Sequence, residues 1–126
     1  MFYSTETHKV HSISKVAAVL RKTARNNYTN CKQGAYETIV TYQERFDDAL
    51  RAYLDQYEEL AIDPVDIAMD FFYGLDNGRY ATFKATIING ITAGSITQPE
   101  NLNEMYLLAA QWLKTTGPAP SGLAST

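Results

Sequence analysis

The chain has 126 residues, 45% of them hydrophobic, with one cysteine and a formal net charge of −3. That length allows one modest core or two small lobes, and no apolar run approaches the roughly 20 residues needed to cross a bilayer. Cys31 has no second cysteine to pair with, which excludes an internal disulfide and suits a reducing, cytoplasmic setting; the opening MFYSTETHKVHS also lacks the basic segment and apolar core of a secretory signal.

Charge is unevenly spread. Residues 1–32 carry six bases and one acid, near +5, whereas residues 33–126 carry five bases and thirteen acids, near −8. Ser12 or Ser14 can cap a first helix in which Ile13, Val16, Ala17, Leu20 and Ala24 form one apolar stripe, fraying near Asn26 and Asn27. Lys15, Arg21, Lys22, Arg25 and Lys32 are the candidate RNA contacts. Without a zinc knuckle, an Arg-rich tract or interleaved aromatics, they predict at most a weak RNA interaction, and a solvated face meeting acidic subunits accounts for them better.

The next segment, QGAYETIVTYQERFDDALRA from Gln33 to Ala52, is the most informative. Gly34 and Ala35 permit a tight bend. From about Glu37 to Tyr57 the apolar positions Ile39, Tyr42, Phe46, Ala49, Leu50, Tyr53 and Tyr57 recur at helical spacing. Asp47 and Arg51 make an i,i+4 pair on the wet side. Glu37 is expected among the free N–H groups of the first turn, and Arg45 reaches back toward the Gln33 amide carbonyl and the loop carbonyls.

The spacing of Gln33, Gly34, Glu37, Tyr42, Arg45, Phe46 and Leu50 closely resembles the major homology region of retroviral and retrotransposon Gag capsid proteins. Phe72, Gly74 and Leu75, within FFYGLDNGRY, resemble the segment of a Phe followed by Gly-Leu that comes next in retrotransposon Gag, and residues 99–114 resemble its late helix. The resemblance implies a capsid C-terminal domain over residues 30–115, in which those seven positions form a structural network, with Gln33, Glu37 and Arg45 joined by hydrogen bonds. It also implies a two-fold self-association through the third helix, with Val65, Ala68, Met69, Phe72 and Tyr73 as candidates, and larger virus-like particles enclosing the element's RNA. Residues 1–29 are then a basic N-terminal segment with one helix, and 116–126 a flexible tail.

Asp63, Pro64 and Asp66 supply a cap, a first-turn proline and an acid for that third helix, which buries Val65, Ala68, Met69 and Phe72 and runs to about Tyr73. Asp76 caps a fourth helix with Tyr80, Phe83, Ile87 and Ala81 inward, ending at Asn89-Gly90. The stretch ATIINGITAG also carries the Asn-Gly signal of a hairpin. Helix is preferred, because a lone hairpin in a helical domain lacks a sheet partner. Thr97 with Glu100 forms a capping box for the last helix, lined by Leu102, Met105, Tyr106, Ala109, Trp112 and Leu113. The expected fold is all-α, a small bundle of four to five helices.

No active site is legible. His8 and His11 stand three apart without a third ligand, and Cys31 has no base placed by the sequence. The glycines around Asp76 and Asn77 lack the spacing and lysine of a phosphate loop. The reading is a non-enzyme with no cofactor, metal, membrane or small-molecule substrate. Two further readings compete with the structural one: a Gag-derived helical adaptor that binds a protein partner, and a small RNA-binding protein acting through its basic N-terminal segment.

Overall fold

The structure is a computed structural model that describes residues 2–57 and 59–116, with side chains described for 16–57 and 59–113. His8, His11, Ile13, the Lys15 contact and the tail beyond Thr116 therefore lie outside the described side chains or residues. Five helices are present and no strand occurs among the described residues: α1 Phe2–Thr29, α2 Ile39–Gln56, α3 Pro64–Tyr73, α4 Asn77–Ala93 and α5 Leu102–Thr116. They fall into two compact units, one of residues 1–31 with 45–61 and one of 32–44 with 62–126. Helix α2 belongs to both, passing from one to the other between Glu44 and Arg45.

In the first unit, α1 starts some ten residues before the expected serine cap and runs on to Thr29. Its opening sequence holds no glycine or proline to stop a helix. The inward residues also differ from expectation. Ala24 and Tyr28 are buried, whereas Val16 and Leu20 are 60% and 50% exposed. Tyr28 explains this, since its ring packs 5.3 Å from both Phe46 and Tyr53 of α2 and Tyr53 meets Tyr57 edge-on. These rings anchor the C-terminal part of α1. Asp47 and Arg51 form the anticipated pair at 2.7 Å.

The second unit has a larger aromatic core. Tyr42, Ala68, Phe71, Phe72, Tyr80, Phe83, Met105 and Ala109 are all within 2% of complete burial. Tyr42 stacks on Phe71 at 4.8 Å and donates its hydroxyl to the Phe71 carbonyl at 2.9 Å. Phe83 bridges Phe72 and Trp112, with centroids 5.9 and 5.6 Å away. Ala81, expected inward, is exposed.

Helix ends follow local chemistry, with two corrections. Asp63 caps α3 by accepting the Val65 N–H at 2.9 Å, as its Asp-Pro start predicts. Helix α4 does not stop at Asn89-Gly90, nor does a hairpin form there. It continues to Ala93 and ends on Gly94, whose φ of 85° is the left-handed conformation that glycine adopts without strain. Gly90 stays helical because Ile96 folds back against it, in the space a side chain would fill. The expected Thr97–Glu100 box is replaced by Asn101, which accepts the Glu104 N–H while the Glu104 carboxylate accepts the Glu100 N–H, both at 2.9 Å.

Candidate functional site

The Gln33–Glu37 loop precedes α2, whose cap is Thr38: its hydroxyl accepts the Thr41 N–H at 3.1 Å. Glu37 thus lies before the helix and not in its first turn. Its carboxylate accepts the Gly34 N–H at 2.9 Å, while the Glu37 N–H donates to the Gly34 carbonyl at 3.1 Å. The loop is closed on itself by one residue's backbone and side chain.

Gln33 then ties this loop to the turn between α3 and α4. It is 6% exposed, and every polar group it brings inside needs a partner. Its backbone N–H donates to the Gly74 carbonyl at 2.8 Å, its side-chain carbonyl accepts the Asp76 N–H at 2.8 Å, and its Nε2 donates to the Glu37 carbonyl at 3.0 Å. Arg79 adds a second tie, donating from Nη2 to the Gly34 carbonyl at 2.7 Å and from Nε to Asp76 at 3.0 Å. That bond to Arg79, with help from the N–H groups of Gly78 and Arg79, holds the Asp76 carboxyl below the usual carboxylate range.

The seven motif positions are therefore divided. Gln33, Gly34 and Glu37 form the clamp, and Tyr42 anchors the core of the same unit. Phe46 and Leu50 are buried in the other unit, where Arg45 Nη1 lies 3.8 Å from Cys31 Sγ. Gln33 Oε1 accepts from the Asp76 N–H, and the Gly34 carbonyl accepts from the Glu37 N–H and from Arg79 Nη2. Sequence reading missed Arg79, and the available signal was an Asp before a helix with an Arg three residues later.

Two further polar side chains, Tyr80 and Lys84, belong to the same unit as the clamp. The Tyr80 hydroxyl is enclosed with no hydrogen-bond partner among the described residues, and burial pushes its pKa up. Lys84 donates to the Tyr73 carbonyl at 3.1 Å and to Asn77 at 2.8 Å. Burial, then the charge of Lys32, lowers its pKa.

Comparison with protein-family models, with curated proteins and with solved structures finds no match to this chain. The remaining sequence candidates rest on geometry alone. Of the self-association set, Ala68 and Phe72 are completely buried and offer nothing to a second molecule. Tyr73 is 58% exposed, and Val65 and Met69 are half-buried. Beside Tyr73, Asp63, Asp66 and Asp70 make an exposed acidic stripe along α3. Of the candidate RNA contacts, Arg21, Lys22 and Arg25 are exposed on α1, with Arg21 lying 5.3 Å over the Tyr57 ring, and Lys32 belongs to the other unit. Among the described residues no group of three or more His, Cys, Asp or Glu could hold a metal, and no helix is long and apolar enough to cross a membrane.

Proposed function

We propose that this chain is a structural protein of the Gag capsid kind, which self-associates in the cytoplasm into particles around the element's RNA and performs no catalysis. The observation that carries the reading is the clamp, a closed hydrogen-bond network through Gln33, Gly34 and Glu37, three of the seven positions that resemble the major homology region. A network of this kind serves assembly by fixing helix positions, so that many weak contacts add up.

Light scattering over a wide range of protein concentration and salt, with electron microscopy of any large species, tests the proposal. Dimers or particles are expected. A strict monomer under every condition overturns the assembly reading in favour of the adaptor, and tight, salt-sensitive RNA binding by that monomer favours the RNA-binding one.

A further inference from the structure

The loop closed by the clamp carries Tyr36, which is 99% exposed. A ring left wholly in water adds nothing to the core, yet its support is rigid: Glu37 closes the loop on the Gly34 N–H at 2.9 Å, and Arg79 holds the Gly34 carbonyl at 2.7 Å. Bases gather at the same place. Residues 32–44 and 62–126, which form this unit, contain eight acids and four bases, Lys32, Arg79, Lys84 and Lys114. The fold brings the first three to the clamp. Exposed Lys32 precedes Gln33, whose N–H lies on the Gly74 carbonyl, and Lys84 donates at 3.1 Å to the carbonyl of the residue before, Tyr73. Burial, then the nearby Lys32 charge, works against the charged form of Lys84, so an anion held between the two lysines favours it. Two neighbouring acids are already engaged, Glu37 by the Gly34 N–H and Asp76 by Arg79.

We propose that this loop is a contact for single-stranded RNA, with a base stacked on the Tyr36 ring and backbone phosphates on Lys32 and Lys84. Each part of that ligand has its counterpart. Stacking needs an open aromatic face on a fixed support, and a single strand offers unpaired bases that a duplex hides. Phosphates pair with lysine as a point charge, without the bidentate fork of arginine. An acidic peptide uses the lysines and leaves the tyrosine idle. Arg79 is committed to Gly34 and Asp76 and acts as a positioning residue. The exposed acids Asp63, Asp66 and Asp70 lie along α3, so the strand lies over the loop and not over that helix. Of the five RNA contacts read from the sequence, this site uses Lys32 alone.

The inference rests on the RNA part of the proposed function and names its site. The full chain is titrated into a labelled oligouridine and followed by fluorescence anisotropy at several salt concentrations. Tyr36→Ala weakens binding about tenfold with the salt slope unchanged, while Tyr36→Phe keeps the wild-type affinity. Lys32→Gln weakens binding and lowers the slope of log K against log salt by about 0.7, the loss of one phosphate contact. Both side chains are exposed, so circular dichroism of the variants matches the wild type. The oligouridine–oligoadenosine duplex and polyphosphate bind more weakly and are indifferent to Tyr36→Ala. Undiminished oligouridine affinity in Tyr36→Ala, or an equal loss of polyphosphate affinity, overturns the site. Binding that falls only when Arg21, Lys22 and Arg25 are together changed to glutamine overturns it too and leaves the RNA reading standing. No binding by the wild type at low salt overturns both, while particle formation is decided separately by light scattering.

Discussion

The side-chain carbonyl of Gln33 accepts the backbone N–H of Asp76 at 2.8 Å, joining residues 43 positions apart in sequence. With the Gln33 N–H on Gly74 and its Nε2 on Glu37, one buried side chain sets the loop before α2 against the turn before α4. Removing that side chain takes a partner from two backbone groups, the Asp76 N–H and the Glu37 carbonyl.

Gln33→Ala is accordingly expected to lower stability by about 2–3 kcal/mol, the usual cost of stranding buried hydrogen-bonding groups. Urea denaturation followed by circular dichroism measures it. Gln33→Glu retains the acceptor but loses the donor to Glu37 and buries a charge, so it should be no milder. A loss under 0.5 kcal/mol in both variants, a figure typical of ordinary surface changes, counts against the clamp.

Two buried tyrosines give opposite expectations for the same change. Tyr42→Phe removes a hydroxyl bonded to the Phe71 carbonyl and should cost about 1–2 kcal/mol. Tyr80→Phe removes a hydroxyl with no partner among the described residues, so stability should hold or rise. Melting temperatures of the pair, measured side by side, decide the matter; equal losses would show that Tyr80 has a partner in solution.

Acid sensitivity is expected to pass through Asp76. Its carboxyl is held below the ordinary range, chiefly by Arg79. A depressed folded pKa adds stability above the unfolded value, about 3.9, and that stability is lost as pH falls through the folded value. Asp76→Asn should therefore be less stable than wild type at neutral pH and converge with it in strong acid. Urea midpoints collected from neutrality down into acid test this, and parallel curves would argue against the Asp76–Arg79 coupling.

Glycines 90 and 94 separate crowding from backbone conformation. A Cβ on Gly90 would overlap Ile96 Cδ1 and come within 2.6 Å of its Cγ1, so Gly90→Ala should cost about 1–3 kcal/mol through displacement of the 95–97 turn. Gly94 has open space around it but a φ of 85°, so Gly94→Ala should cost about 1 kcal/mol, with Asn better tolerated. Ile96→Ala combined with Gly90→Ala should recover part of the first loss and none of the second.

How far the sequence could be read depended on how local the deciding contact was. The start of α3 was legible because Asp63 and Pro64 act on the next two residues. The Asn101 cap was not, since Thr97 and Glu100 offered the same pattern four residues earlier and Pro99, buried in the fold, lies between. Of the apolar stripe read in α1, Ala24 is buried while Val16 and Leu20 are exposed, because the covered end is set by Tyr28 meeting Phe46 and Tyr53. In the clamp, Gln33, Gly34 and Glu37 were singled out by the family resemblance, while the residue pattern alone put Glu37 inside the helix and not before it. Asp76 and Arg79 were not, because they sit more than forty residues away and only the fold brings them near.

Helix α2 carries Tyr42 into the core of one unit and Phe46 and Leu50 into that of the other on one continuous ladder of backbone hydrogen bonds. Neither unit can melt completely without fraying a helix the other requires. Hydrogen exchange should therefore give the central amides of α2, around Glu44 and Arg45, the slowest rates in the molecule, and thermal unfolding should proceed as a single transition.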